Sequence, residues 1–429
     1  MNEIHLTLLI LFPILLLAGI PIYAALGITG FVVTFLSDNP LGFASQSILN
    51  GLDNFPLLAI PAFILAGNIM ERGGITNDII RIFRHSFGHI PGSLGIVTIF
   101  SCMFFAAISG SGPGTVAAIG AILIPAMIRY GYPAPYAAAV SATGGTLGVM
   151  IPPSNPMIIY AIIANISIAD LFMAGMIPGI LTGLCLAGMA YFLAKRSGVV
   201  LKVDEERDQN ETVLRLLWQG KFALFLPVLI LGGIYSGIFT PVEAAVVAVV
   251  YALIVAVFVY RVMTYSDLKL AFEGALRISG ALMIVVACST LFARTITFER
   301  IPQQLVDLFS QVSTNGLVVL LMINVLLLVI GTFMETISAI IILAPILVPL
   351  VVSFGIDPIH FGIILIINIE IAFLTPPLGV NLFVASQIAK IPIEKMITAI
   401  LPYVATLIAI LLILTIFPQI SLFLPNLMR

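Results

Sequence analysis

Charge is what this sequence has least of. Only 9% of its 429 residues are Asp, Glu, Lys or Arg, while 61% are hydrophobic; an ordinary soluble domain carries roughly 25% charged residues. Mean hydropathy is +1.19. So few charges cannot cover a water-facing surface, which excludes soluble enzymes and disordered chains. A net charge of −2 without a basic patch excludes a nucleic-acid binder as well. Cysteine is scarce too. Cys102, Cys185 and Cys288 each sit in an apolar run and share no ligand spacing, so they are expected to pack rather than to pair or bind metal. The four histidines, His5, His85, His89 and His360, all fall near predicted helix ends or interfaces. Ser111, within Gly-Ser-Gly, therefore has no evident base, which argues against an intramembrane protease. There is no His-Glu-x-x-His pair and no Gly-Lys-Ser/Thr phosphate loop, against a metalloprotease or a P-loop ATPase.

What is abundant is long apolar sequence. Lipid must solvate it, and lipid admits only helices or closed barrels. Runs such as Leu6–Leu17 and Val246–Val259 lack the two-residue alternation of a barrel strand, so the chain reads as an all-α polytopic membrane protein. Helices are predicted at 4–18, 21–37 and 55–71. An amphipathic stretch follows at 72–90, with Ile75, Ile79, Phe83, Phe87 and Ile90 on one side and Asp78, Arg81, Arg84 and His85 on the other. Two arms at 94–109 and 113–128 flank Ser109-Gly110-Ser111-Gly112-Pro113; sixteen residues reach roughly 24 Å, short of a full hydrocarbon core, so they read as a re-entrant hairpin. A run at 135–165 is interrupted by Pro152-Pro153-Ser154-Asn155-Pro156, and a helix at 172–194 closes the half. The acidic start, Met1-Asn2-Glu3, lacks the basic residues of a signal peptide, so the first helix is expected to be retained.

Residues 195–221 hold eleven of the 38 charged residues and read as a hydrophilic linker between a first repeat at 1–194 and a second at 222–429. The second repeat offers helices at 222–237, 241–260 and 275–294 and an amphipathic piece at 299–312 within an arm spanning 295–315. Hairpin arms at 318–331 and 337–352, a broken run at 358–390 and a helix at 396–417 follow. Residues recur as well as hydropathy. At an offset of 224, Pro125 meets Pro349, Gly131 meets Gly355 and Pro152-Pro153 meets Pro376-Pro377; at 220, Pro21 meets Pro241. Each half holds about five crossings plus one hairpin, so the second half enters the membrane inverted. Threaded this way, fifteen of the 18 basic residues fall on one side, which the positive-inside rule makes cytoplasmic. Both termini then lie outside.

Inverted repeats with discontinuous helices mark secondary transporters. The two Pro-Pro pairs leave backbone groups unpaired at membrane depth; freed carbonyls can coordinate a cation, and a half-helix N-terminus attracts an anion. Ser154 and Asn155 open such a half-helix and are substrate candidates. Intramembrane ionisable residues are further candidates: Glu335, Glu370, Glu243 and Arg294, the last able to hold a carboxylate through two hydrogen bonds. Glu71 and Arg72 read as a helix end. Asn368 and Asn381 suit interhelical hydrogen bonds.

Ser109-Gly110-Ser111, Gly144-Gly145-Thr146-Leu147-Gly148 leading into Ile151-Pro152-Pro153-Ser154, Gly331-Thr332 with Glu335, and Thr375-Pro376-Pro377-Leu378-Gly379 resemble the large membrane subunit of tripartite ATP-independent periplasmic (TRAP) transporters over essentially the whole chain. The resemblance implies sodium-driven import of an organic acid by an elevator: hairpins and broken helices move against a scaffold of the remaining helices. It implies two partners, a four-helix small membrane subunit and a periplasmic solute-binding protein. A first sodium site would use Ser109, Ser111, Gly145, Gly148, Ile151, Pro152 and Pro153. A second would use Gly331, Thr332, Met334, Ala372, Phe373 and Thr375. Glu335 would join Ser154, Asn155 and Arg294 at the substrate. The family usually places an acid shortly after the Ser-Gly-Ser tip, where this chain has Gly114-Thr115. Oxygen ligands without a carboxylate suit a monovalent cation better than Ca²⁺.

The expected function is sodium-coupled uptake of a small organic acid, such as a C4-dicarboxylate or sialic acid, across a bacterial inner membrane. Alternatives are a stand-alone ion-coupled carboxylate carrier and, in a different class, an ion channel.

Overall fold

A computed structural model describes residues 3–37, 40–88, 90, 92–196 and 212–428. Both chain ends, His89 and the centre of the charged linker, 197–211, lie outside the described residues. The rest is helical, with no strand among the described residues. Seven helical segments are long and apolar enough to cross a membrane, or up to ten when each of three bent pairs counts as one span. The chain is an all-α, multi-pass protein.

The first three apolar helices are α1 (Glu3–Leu17), α2 (Ile22–Leu36) and α4 (Ala59–Arg72), the last entered through a single tight turn at Phe55–Leu58. Between them lies a helix that hydropathy did not mark, α3 (Leu41–Leu52). Its Ser45, Gln46, Ser47 and Asn50 keep it out of any apolar window. Packing explains it: Gly51 sits directly against the Thr290 side chain, so only a hydrogen fits there. α5 (Ile75–Phe87) is the amphipathic arm. Phe83 and Phe87 stack on Phe100, with ring centroids 5.8 and 4.9 Å away. Two residues of the face read as solvated are engaged instead: His85 is buried, and Asp78 accepts a 2.6 Å hydrogen bond from the Tyr260 hydroxyl.

α6 (Ser93–Ser109) and α7 (Gly112–Arg129) form the first hairpin. α8 (Ala134–Met150) and α9 (Asn155–Ala164) are two pieces of one run, bent by 40° at the Pro-Pro break. α10 (Ile168–Arg196) carries the chain to the linker. Beyond it, α11 (Val213–Gln219) leaves Leu214 and Trp218 exposed, with the Lys221 ammonium 3.7 Å from the Trp218 ring centre.

α12 (Lys221–Tyr235) and α13 (Pro241–Ile254) precede α14 (Tyr265–Phe298), whose 34 residues outrun the apolar stretch expected at 275–294. The added N-terminal turns carry Asp267, Lys269 and Glu273, which end a hydropathy signal but not a helix. They are nucleated by a capping box in which Asp267 N–H donates to the Thr264 hydroxyl and Thr264 N–H to the Asp267 carboxylate. α15 (Ile301–Val312) turns by 114° into α16 (Gly316–Gly331), which pairs with α17 (Thr336–Ser353). α18 (Pro358–Ala372) and α19 (Val380–Ala389) flank the second Pro-Pro pair, and α20 (Glu394–Ile416) and α21 (Gln419–Met428) finish the chain. Gly112 and Thr336 open α7 and α17 at a separation of 224 residues; Ala134 and Pro358 open α8 and α18 at the same separation. The core runs between these pieces: buried Tyr160 on α9 donates a 2.6 Å hydrogen bond to the Pro358 carbonyl.

Candidate functional site

The tip of the first hairpin is held by its own hydroxyls. Ser111 caps α7 by accepting from Gly114 N–H at 3.4 Å. The Thr115 hydroxyl donates to the Ser111 carbonyl at 2.8 Å, and Ser109 Oγ lies 3.0 Å from Thr115 Oγ1. Gly110, at φ +58°, makes the reversal that an L side chain resists. The absence of its Cβ also lets the tip approach the α8–α9 break, since a methyl there would meet the Pro153 carbonyl at 2.9 Å. Gly148 is in the same position relative to the Ser111 carbonyl, and Gly145 to that of Gly112. The tip and the break thus meet backbone to backbone. Ser109, Ser111, Gly148 and Pro153 gather at this meeting, with Gly145 one turn along. Ile151 directs its side chain away, against Gly179.

The second hairpin repeats the arrangement with different atoms. Gly331 packs on Ala372, and the Thr332 carbonyl accepts from Leu378 N–H at 3.2 Å, tying tip to break. The Thr332 and Thr375 hydroxyls donate to the Val329 and Ile371 carbonyls of their own turns, so each oxygen keeps its acceptor capacity. Met334 N–H and Phe373 N–H bond back to Gly331 and Ile369. The Glu335 carboxylate caps α17, accepting from Ser338 N–H at 3.1 Å. Buried Glu370 accepts from the Thr336 hydroxyl at 3.0 Å, and its second oxygen has no protein partner.

Both tips open on one cavity of about 340 Å³. Residues Ser109–Gly114 line it from one hairpin, Glu335–Ile337 from the other, with Asn155, Pro156 and Phe373 from the broken helices. Three helix N-termini, those of α7, α9 and α17, converge here, each equivalent to roughly half a positive charge. Glu335 offsets that of α17. From the other wall come Gly67, Asn68 and Glu71 of α4 and Ile278 and Leu282 of α14. Among the described residues no lysine or arginine lines the cavity; its charged groups are Glu71 and Glu335. Ser154 Oγ and Asn155 Oδ1 are buried without a protein partner.

Of the substrate candidates, Asn155 and Glu335 line this cavity and Ser154 adjoins it at the head of α9. Arg294 lies elsewhere, in a second cavity of about 1020 Å³. Glu71, read as a helix end, lines the tip cavity. Glu243 is instead a helix cap: it accepts from Thr240 N–H and donates its own N–H to the Thr240 hydroxyl. Asn368 makes the expected interhelical bond, to Asn324 at 3.0 Å. Asn381 does not. It is fully buried beside Gly112 and Gly145, and neither polar atom has a partner. Asn68 gave no signal in the sequence, being a single amide at the edge of an apolar run.

Residues 9–420 match the family described as Tripartite ATP-independent periplasmic transporter, DctM component. The chain belongs to this family. Among curated relatives, the isethionate TRAP transporter permease protein DctMQ of Oleidesulfovibrio alaskensis is 44% identical over 96% of this chain, which spans 65% of that protein's length. The C4-dicarboxylate TRAP large permease DctM of Pseudomonas aeruginosa is 42% identical over 94% of each chain. The sialic acid TRAP large permease SiaM of Vibrio cholerae is 38% identical over 96% of each. All three are named as transporter permeases, and this TRAP large permease is a transport protein rather than an enzyme. Its fold is similar to that of the Alcanivorax borkumensis YdaH transporter, at a TM-score of 0.68 and 13% identity, covering 88% of this chain and 89% of the other.

Proposed function

We propose that this TRAP large permease carries a small organic anion into a bacterial cell, driven by an inward sodium gradient. The observation that carries the proposal is the tip cavity: both hairpin tips and three helix N-termini meet there, beside two carboxylates and no basic side chain. Helix ends and the Asn68 and Asn155 amides attract an anionic head, but partial charges beside two carboxylates do not balance a full negative charge at membrane depth. Cations must accompany the substrate. The donors around the breaks suit sodium: hydroxyl and carbonyl oxygens of Ser109, Ser111, Gly145, Gly148 and Ile151–Pro153 at one tip, and of Gly331, Thr332, Met334, Ala372, Phe373 and Thr375 at the other. At least two sodium ions then bind with each anion, which couples the two gradients.

In this reading the halves 1–194 and 222–429 are inverted repeats. Each tip meets its neighbouring helix break, which supports reading the hairpins as re-entrant, while α7 and α17 are each long and apolar enough to span. α6–α9 and α16–α19 form the moving body of an elevator, sliding on a scaffold that includes α4, α14 and the two arms. Fifteen of 18 basic residues on one side orient the chain, with both termini periplasmic. The small membrane subunit braces the scaffold, and a periplasmic binding protein delivers the acid. The relatives' isethionate, C4-dicarboxylates and sialic acid bound the substrate class as small organic acids.

Reconstitution of the chain with its small subunit in liposomes tests this. Uptake of succinate, isethionate or N-acetylneuraminate is expected only with a binding protein and an inward sodium gradient. Uptake undiminished in choline, or without the binding protein, contradicts the proposal.

A further inference from the structure

The second cavity, about 1020 Å³, lies between α3 and α14 on one side and α9 and α17 on the other, and shares no lining residue with the tip cavity. Its chemistry is opposite in sign. Among the described residues, Arg294 is the only charged side chain that lines it, and it has no ion-pair partner. Around it stand the amides of Asn50, Asn54 and Asn165 and the hydroxyls of Thr290 and Thr297. A further cavity of about 380 Å³ shares Asn54, Ile162 and Asn165 with it and runs on to Thr240, again without a charged lining residue. Along α14, Arg294 stands twelve residues, or about 18 Å, beyond Leu282, which lines the tip cavity.

An unpaired, exposed guanidinium at the open mouth of a roomy cleft with no acid in its lining is a site for an anion. Its planar fork matches a carboxylate or sulfonate through two parallel hydrogen bonds, and the amides and hydroxyls suit a hydroxylated body. We propose that this cavity is a separate receiving site where the organic anion first binds, held by Arg294 without sodium. This rests on the chain transporting organic anions. The two sites then differ in kind. The Arg294 site supplies its own positive charge, and the tip cavity takes its positive charge from cations. An anion can therefore be captured before the ions that drive it inward.

Local thiol protection tests the site. With Cys102, Cys185 and Cys288 replaced by alanine, Thr290→Cys sets a thiol one helical turn from Arg294, and Thr297→Cys is a second reporter should the first misfold. Maleimide labelling of the purified protein is timed in sodium-free choline buffer with succinate, isethionate or N-acetylneuraminate. At least one anion is expected to slow labelling about threefold at twice its Kd. The effect is expected to weaken in Arg294→Lys and vanish in Arg294→Gln. No protection by any of the three, protection that requires sodium, or protection that survives Arg294→Gln overturns the receiving site. Sodium-driven uptake in the same preparation separates the two claims: protection without such uptake counts against the coupled function and leaves the site standing.

Discussion

The hydroxyl oxygens of Ser109 and Thr115 lie 3.0 Å apart at the first hairpin tip, and both reach the Ser111 carbonyl, at 3.2 and 2.8 Å. This chain closes the tip with neutral oxygens. Any cation bound there meets a cage of dipoles.

The first prediction concerns that cage. Ser109→Ala removes one oxygen and is expected to raise the half-saturating sodium concentration for uptake roughly tenfold, about 1.4 kcal/mol. Thr115→Asp adds a full charge and should move the curve the other way. Sodium titrations that superimpose on the wild type for both variants exclude this tip as an ion site.

Close backbone approach makes a second prediction. A Cβ at Gly148 collides with the Ser111 carbonyl, a backbone atom that cannot swing aside. Gly148→Ala should cost about 1–3 kcal/mol of stability and abolish transport, while Gly188→Ala, where nothing lies within 4 Å, should leave both unchanged. Thermal denaturation in detergent with parallel uptake assays reads the difference. Equal behaviour of the two variants would refute the packed tip.

Thr336 and Glu370 give a third. Thr336→Val leaves the buried Glu370 carboxyl without its one hydrogen bond and is expected to destabilise the protein by about 1–3 kcal/mol. Glu370→Gln keeps an acceptor for the Thr336 hydroxyl and should cost less. The reverse order of melting temperatures would mean that the bond contributes nothing.

The arm provides a fourth. Tyr260→Phe deletes the hydroxyl that Asp78 accepts. Hydrogen exchange across residues 75–87 should then quicken by roughly tenfold or more, as expected for a bond to a charged group worth about 1.5–3 kcal/mol. Unchanged exchange would show α5 to be held by Phe83 and Phe87 alone.

Much of this was legible from residue patterns because lipid imposes simple rules: apolar length marked most helices, and Pro-Pro marked both breaks. The rules failed where tertiary contact decides. α3 is too polar for a hydropathy window yet forms because Gly51 admits Thr290. α14 begins at Tyr265, ahead of the apolar stretch, because its cap, not its hydropathy, sets its start. Asn155 was readable as the opening of a half-helix and Glu335 as an intramembrane acid at a tip, and the tip cavity holds both. Arg294 was grouped with them for its charge alone, and no linear pattern says that charge faces another cavity. Asn68 and Glu71 were unreadable for the same reason: only the approach of α4 to the two tips makes them part of the lining.

The most direct measurement is paired flux. In proteoliposomes holding the large and small subunits, with a binding protein outside, ²²Na⁺ and labelled organic anion are counted together under an inward sodium gradient. Sodium entering with each anion, in a fixed ratio of at least two, and the loss of both fluxes in Ser109→Ala at low sodium, is the predicted result. Anion entry with no accompanying sodium would contradict cation-balanced transport at the tip cavity.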